Sequence, residues 1–491
     1  MAELDELIER IYAGREGPDV LACFDYDGTL IGGYSAEVFY EHRLRTFDLG
    51  PIELARTVLL SVRGIRTEAD FERLLELSLG AWRGREEAAL EELGERLFRD
   101  AIAARLYVES WELLEAHRGM GHTLVLASSA TRFQVEPMAR ELGIGHLLCT
   151  SVEVHDGRLT GRVAGRPVWG EAKALALRAL AAEHEIDLDS SFAYSNGEED
   201  EPLLAAVGSP ACIEPSSELE QLAGERDWPV LRCAPRGNRP GITQASRTAA
   251  FYGALGAAGW LGAGVGLLGR SRQSAIDIWC TVGPELALSL AGVDVQVLEG
   301  EQHLWSSRPS VFVFNHQSNI DPIVVMKLLR HGVTAVGKAE AKKIPFFGPM
   351  FQLAGVAFVE RGNTSQARRA LEPAVSKIVN DGLSLMMSPE GTRSRTPSLG
   401  PFKKGAFHIA MQAGVPMVPV VLRGAGEVLR RGDQTIRPGV VEVVVPAPFD
   451  TTAWRPDTID QHVQEVRGAF ERALAAWPGG PSRSALPVGR S

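Results

Sequence analysis

The sequence predicts an α/β protein of two domains joined by an apolar, glycine-rich segment, and three observations carry that prediction. Val20 to Phe24 and Val311 to Phe314 are short unbroken apolar runs, each followed at once by polar residues, as expected of fully buried strands. Leu4, Leu7, Ile8 and Ile11, and later Ile459, Val463, Val466, Phe470 and Leu474, fall at helical spacing beside them. Between the two halves, Ala249 to Gly269 carries no charge and is bounded by Arg247, Arg270 and Arg272. At 491 residues the chain is long enough to bury more than one full core.

Composition narrows the partners. The chain has 51 basic and 62 acidic residues, a formal charge of −11, and no lysine- or arginine-rich block, so no nucleic acid is expected. Its five cysteines are scattered without a Cys-x-x-Cys pair, which suits a reducing compartment and neither a disulfide framework nor a zinc site. The acidic amino terminus has no basic region leading into an apolar core, so it is not read as a signal peptide. A short helix docked on the first domain is expected there.

The first domain is placed at residues 1–234. Its strand Val20 to Phe24 runs straight into Asp25-Tyr-Asp27-Gly-Thr, and two carboxylates at the end of a buried strand are costly unless they serve something charged. Three further motifs follow in order: Ser128 after the strand Thr123 to Ala127, Lys173 in Gly-Glu-Ala-Lys, and Asn196-x-x-x-Asp200 after Phe192 to Ser195. Together they resemble the haloacid dehalogenase-like hydrolases, in the branch related to phosphoserine phosphatase. That resemblance implies a doubly wound, Rossmann-like fold with Asp25 as nucleophile and Asp27 as acid and base. Ser128 and Lys173 would hold the phosphoryl oxygens, and Mg²⁺ would lie among Asp25, Asp27, Asn196 and Asp200. Asn196 departs from the family, which has an acidic residue there, so a non-catalytic docking or regulatory module stays open as the alternative. Residues 33–115, with Leu54, Val58, Leu59, Phe71, Leu74 and Leu75 at helical spacing, are expected to form a helical cap.

Residues 235–248, rich in turn formers and arginine, are read as a linker. The stretch 249–296 follows as a membrane-associated hairpin. Ala249 to Gly269 has the length of a bilayer span but is rich in glycine and alanine, so a buried or interfacial helix is the alternative. Gly262-x-x-x-Gly266 is a contact face for another helix. Ile276 to Val295 would return, and its Asp277 and Glu285 disfavour a deep second span.

The second domain is placed at 297–478, followed by a disordered tail at 479–491. After the strand Val311 to Phe314, His316 and Asp321 are either caps of a strand-to-helix turn or a catalytic pair. Five residues apart, they meet only if the chain turns and a helix starts near Asp321-Pro322. Downstream come Gly355 to Arg361, the block Ser388-Pro-Glu390-Gly391-Thr392-Arg393, Phe402 to Gly405, and Val415 to Pro419. In this order the blocks resemble the glycerolipid acyltransferases, closest to 1-acylglycerol-3-phosphate acyltransferase (PlsC-like). The resemblance implies an α/β acyltransferase domain in which His316, oriented by Asp321, is a general base. Arg361 and Arg393 would bind a phosphate monoester, Glu390, Gly391 and Thr392 would position the acceptor, and the Pro416 block would shape the acyl-donor side.

The expected whole is a bifunctional protein at the cytoplasmic face of a membrane. It would transfer an acyl chain from acyl-CoA, or from an acyl carrier protein, to lysophosphatidic acid. Glycerol 3-phosphate is the alternative acceptor.

Overall fold

The computed structural model describes residues 2–46, 67–233, 241–338, 357–359, 364–431 and 433–478. The chain divides between Asn238 and Arg239 into two compact units.

The first unit is built on a six-stranded parallel sheet of order β3-β2-β1-β6-β7-β8. These strands are β1 (Leu21–Phe24), β2 (Thr123–Thr131), β3 (His146–Thr150), β6 (Phe192–Ser195), β7 (Ser209–Ile213) and β8 (Val230–Leu231). Strand β1 is central and wholly buried because both faces are covered, which is why it reads as an unbroken apolar run. Ala22 and Phe24 pack in one layer with Leu113, Leu114 and Phe133, and Leu21 and Cys23 pack in the other with Leu177 and Leu203. The helix Ala2–Ala13 buries Leu4, Leu7, Ile8 and Ile11, as their spacing predicts.

Helices Ser35–Arg45, Glu68–Gly80 and Glu87–Leu97 lie in the stretch read as a cap. Phe71 is buried there, whereas Leu54, Val58 and Leu59 lie outside the described residues. An antiparallel hairpin of β4 (Val152–His155) and β5 (Arg158–Val163) joins these helices and was not anticipated. Gly84 N–H donates to the Leu159 carbonyl at 2.8 Å, Leu159 N–H donates to the Arg85 carbonyl at 2.9 Å, and Arg166 pairs with Glu68. Its turn is Asp156-Gly157, with φ of 50° and 71°, a two-residue turn of the kind that matches strand twist.

The second unit carries a seven-stranded sheet of order β12-β11-β13-β10-β14-β15-β9. Its strands are β9 (Val293–Glu299), β10 (Val311–Phe314), β11 (Val333–Lys338), β12 (Ala357–Val359), β13 (Ser384–Met387), β14 (Met417–Arg423) and β15 (Gly439–Val444). All pairings are parallel except β14 with β15. Strand β10 is central. Phe312 and Phe314 join a layer with Phe251, Leu255, Trp279 and Leu288, and Val311 and Val313 join the opposite layer with Phe407, Ile409 and Phe470.

Helices Ile242–Leu268 and Arg272–Ala291 pack against each other as a helical hairpin. The first begins inside the stretch read as linker, where the Gly241 N–H is met by the Gln244 side chain. Gly262 and Gly266 are the contact face: a Cβ on either would lie 2.5 Å from the Ala275 carbonyl oxygen or 2.6 Å from its Cβ. The base of the hairpin belongs to the core of the unit through Phe251, Leu255, Trp279 and Leu288. Toward the turn, the first helix leaves Trp260, Leu261, Leu267 and Leu268 exposed. By length and composition, Ile242–Leu268 is long and apolar enough to cross a bilayer. Asp277 and Glu285 of the return helix are tied to the same unit, accepting from Gly332 N–H at 3.0 Å and pairing with Lys327 at 3.1 Å.

Candidate active sites

In the first unit the end of β1 delivers Asp25, whose N–H donates to the Tyr194 carbonyl on β6. The neighbouring strands bring the other motifs to it. Phe24 is level with Leu126 on β2, so Ser128 stands two residues further along that strand. It is buried, and its Oγ accepts from Ala130 N–H. Asp200 follows β6 through a short 3₁₀ turn, Glu198–Asp200. Lys173, in the first turn of Glu171–Glu183, reaches between the two aspartates: Nζ lies 2.9 Å from Asp25 Oδ1 and 2.6 Å from Asp200 Oδ2. All three residues are buried.

Burial pushes the Asp25 carboxyl up, Lys173 draws it back, and it stands at about 6. Burial alone would pull the Lys173 ammonium down, but Asp200 and Asp25 outweigh it and hold the charge on. Asp27 is held apart from this pair. Its carboxylate accepts from Ser35 N–H at 2.6 Å and from Ser35 Oγ at 3.1 Å, and burial of the carboxyl raises it to about 7. A carboxyl in that range can both give and take a proton near neutrality.

The oxygens here suit a hard divalent cation. The Asn196 amide lies beside the Asp27 backbone carbonyl, Asp25 Oδ2 and Thr29 Oγ1, so the donors are a carboxylate, a carbonyl and an amide. Asp200 Oδ1 is buried with no hydrogen-bond partner among the described residues. Among the described residues there is no metal-holding group of three or more His, Cys, Asp or Glu, so a cation here depends on the carbonyl and the amide. Glu199, beside Asp200 and largely buried, is raised to about 7 by burial and then by Asp200.

In the second unit His316 follows β10 and Asp321 opens the helix Asp321–Leu329 with Pro322 behind it, so the turn does close. His316 Nδ1 lies 2.9 Å from Asp321 Oδ2, which also accepts from Ser318 N–H at 2.7 Å. An oxygen that accepts from both fixes the tautomer: Nδ1 carries the proton and Nε2 presents a lone pair. Asp321 is fully buried, which pushes its carboxyl up, while the hydrogen bond to His316 pulls it back. The His316 side chain keeps 19% exposure, enough to meet a substrate.

Glu390 arrives from β13, the strand beside β10. Its Oε1 accepts from His316 N–H at 2.7 Å, and its Oε2 accepts from Ser394 Oγ at 2.5 Å and Gly400 N–H at 2.9 Å. Ser394 N–H donates back to the His316 carbonyl at 2.7 Å. Both oxygens of Glu390 are therefore engaged within the protein. Arg393 is half-buried on this loop, and Arg431 holds the loop by donating to the Arg393 and Ser394 carbonyls. Burial lowers the Arg393 guanidinium and Asp321 opposes that, so the cation and the dyad feel one another. Gly391 takes φ +68° with the Lys403 side chain against it, and Thr392 is exposed. Arg361 lies outside the described residues.

The block Val415 to Pro419 runs alongside β10, with Pro419 level with Val313. Met417 is level with Val311 in parallel strands, so Pro416 sits at the amino end of β10 and His316 at the carboxyl end. Strand β14 meets the site through its far end instead, where Asn315 Nδ2 donates to the Leu422 carbonyl and Leu422 N–H donates to Asn315 Oδ1. Ser318 Oγ donates to the Leu429 carbonyl at 2.6 Å. Asn315, Ser318 and Ser394 were not assigned roles from sequence. Their signal was adjacency to His316 and Glu390.

A family model for haloacid dehalogenase-like hydrolases matches residues 22–205, and one for acyltransferases matches 295–423. A 1-acyl-sn-glycerol-3-phosphate acyltransferase of Limnanthes douglasii is 35% identical over 191 residues, 39% of this chain and 67% of that protein. The chain belongs to the 1-acyl-sn-glycerol-3-phosphate acyltransferase family. It carries a haloacid dehalogenase-like hydrolase domain ahead of the acyltransferase domain. Similar solved structures include the acyltransferase PlsC from Thermotoga maritima, at 24% identity and TM-score 0.41, covering 48% of this chain and 98% of that one. A probable phosphoserine phosphatase from Vibrio cholerae matches at 19% identity and TM-score 0.35, covering 45% and 62%.

Proposed function

We propose that the second unit transfers an acyl chain from acyl-CoA to 1-acylglycerol 3-phosphate, giving phosphatidic acid, in a membrane-associated protein whose first unit is a Mg²⁺-dependent phosphomonoester hydrolase. The single observation that carries the acyl transfer is the His316 Nδ1 to Asp321 Oδ2 hydrogen bond of 2.9 Å, which leaves Nε2 free. Nε2 takes the proton of the acceptor hydroxyl as its oxygen attacks the thioester carbonyl. The C–O bond forms, the C–S bond breaks, and the imidazolium returns the proton to the leaving thiolate. Asp321 holds the ring and stabilises its charged form, and Glu390, Asn315 and Ser318 act as positioning residues for the segment. Arg393 and Arg361 bind the acceptor phosphate. An acyl carrier protein is the alternative donor and glycerol 3-phosphate the alternative acceptor.

In the hydrolase domain, Asp25 attacks phosphorus, Asp27 protonates the leaving alcohol and then activates water, and Ser128 and Lys173 hold the phosphoryl oxygens. Mg²⁺ would be held by Asp25, Asp27 and Asn196, with Asp200 behind, and would neutralise phosphoryl charge. The exposed apolar end of Ile242–Leu268 supports seating in a membrane, with the dyad on the cytoplasmic side, where soluble acyl-CoA meets a lipid acceptor.

The test uses the full chain in detergent with Mg²⁺, acyl-CoA and either acceptor, following CoA thiol and inorganic phosphate together. His316→Ala is expected to lower thiol release by about 10²- to 10⁴-fold and spare phosphate release from an active ester. Asp25→Asn is expected to do the reverse. Undiminished thiol release in His316→Ala overturns the dyad. Absence of phosphate release from every ester offered favours a docking module for the first unit.

A further inference from the structure

Asn196 is the one motif position where the first unit departs from an acidic metal ligand, and its surroundings give the amide two distinct uses. One atom of the amide lies 2.9 Å from the Asp27 carbonyl oxygen, 3.2 Å from Asp25 Oδ2 and 3.3 Å from Thr29 Oγ1. If that atom is oxygen, it faces the first two of these as acceptor against acceptor, which is unfavourable unless a cation lies among them. Oxygens on adjacent vertices of an octahedral Mg²⁺ shell are separated by about 2.9 Å, from metal–oxygen distances of roughly 2.05 Å. If the atom is nitrogen, the same separations are ordinary N–H···O distances, and its two protons serve the Asp27 carbonyl and Asp25 Oδ2. Gly28, at φ +80°, lies so close to the amide that a Cβ there would collide with it, so the absence of a side chain at 28 is what admits the amide to this position.

We propose that Asn196 is an amide rotor that makes cation binding in the first unit optional: with its NH₂ inward it cross-links the Asp25–Thr29 loop to the end of β6 without metal, and with its oxygen inward it completes a divalent-cation site. A carboxylate at this position has no such choice. It would add another negative group to Asp25, Asp27 and Asp200 around the single ammonium of Lys173, and only a cation would relieve it. The departure at 196 therefore trades cation affinity for a loop that stays ordered when no cation is bound. The inference rests on the hydrolase reading of this unit, and its test does not depend on turnover.

The experiment compares the full-length wild type with Asn196→Asp and Asn196→Ala, in EDTA and across a MgCl₂ titration. It reads Mg²⁺ affinity by calorimetry and hydrogen exchange of the peptide covering residues 25–33. In EDTA the wild-type loop is expected to be protected and the Asp variant to exchange at least tenfold faster, with Mg²⁺ restoring the Asp variant and changing the wild type little. Mg²⁺ is expected to bind the Asp variant at least tenfold more tightly. Asn196→Ala, which can neither donate nor ligate, is expected to exchange fast in both conditions. A wild-type loop as unprotected in EDTA as that of Asn196→Asp overturns the rotor while leaving the metal site standing. No Mg²⁺ binding by wild type or Asn196→Asp overturns both the rotor and the hydrolase reading.

Discussion

The two active-site segments occupy the same kind of place, the carboxyl end of a buried central strand in a largely parallel sheet, and are held there by opposite means. At the end of β1, Asp25 and Asp200 are clamped by the Lys173 ammonium, charge against charge in a buried setting. At the end of β10, His316 and Asp321 are held mostly by neutral donors: Ser318 N–H on Asp321, His316 N–H and Gly400 N–H on Glu390, and the paired Asn315–Leu422 bonds. The difference fits the functions proposed for the two sites. On the proposed function the first would receive a phosphoryl group and a cation, and its buried ions are costly unless paired. A general base needs an uncharged ring at a fixed tautomer, which backbone donors and one buried carboxylate provide.

The largest expected break in this comparison is Lys173→Met. Removing one partner of a buried ion cluster leaves Asp25 and Asp200 uncompensated, so the first unit should lose about 3–5 kcal/mol in denaturant unfolding. Adding Asp200→Asn should recover part of that loss, and acyl transfer should be unchanged. Its counterpart, Asn315→Ala, leaves the buried Leu422 N–H and carbonyl without partners. It should cost about 2–3 kcal/mol in the second unit and lower acyl-transfer kcat more than KM, because His316 is the next residue. If Asn315→Ala costs more than Lys173→Met, the contrast between charge-held and backbone-held sites fails.

A third prediction concerns pH. His117 and His122 share a 2.8 Å Nδ1 to Nδ1 contact, while His117 Nε2 meets the Tyr194 hydroxyl and His122 Nε2 meets the Arg15 carbonyl. With both rings neutral every contact in the chain is made, and burial lowers both rings below the ordinary histidine value. The unfolded state gains protons as pH falls through about 6.5 and the folded state does not, so this stability is present above that pH and lost below it. Wild type should therefore lose up to about 1.4 kcal/mol per pH unit more than His117→Gln below pH 6.5, measured by denaturant titration at each pH. Asp25, Asp27 and Glu199, raised toward neutrality, act in the opposite direction, which is why the variant difference rather than the absolute slope is diagnostic. The smallest effect is Ser394→Ala. It removes one of three bonds to Glu390 and should cost about 1 kcal/mol with a modest fall in acyl transfer.

Much of both sites was legible before any coordinates, and the reason is local. Asp25, Asp27, Lys173, Asn196 and Asp200 sit at strand ends and helix starts, and His316 and Asp321 span a single turn, so short motifs recorded their spacing. The α/β class was equally plain, because strands covered on both faces read as continuous apolar runs. The β4–β5 hairpin was missed although Asp156-Gly157 marks its turn, because its strands are short, half-exposed and weakly apolar.

The amino-acid sequence by itself nominated the candidate site residues and determined that they follow buried strands, since backbone periodicity and motif spacing are local properties of the chain. Only the tertiary structure decided what those residues touch. Strand register set Leu422 against Asn315 at the carboxyl end of β10. Packing turned Glu390 inward onto His316, made the base of the glycine-rich hairpin part of the acyltransferase core, and set the Asn196 amide against the Asp27 carbonyl. Such outcomes depend on which distant segments become neighbours.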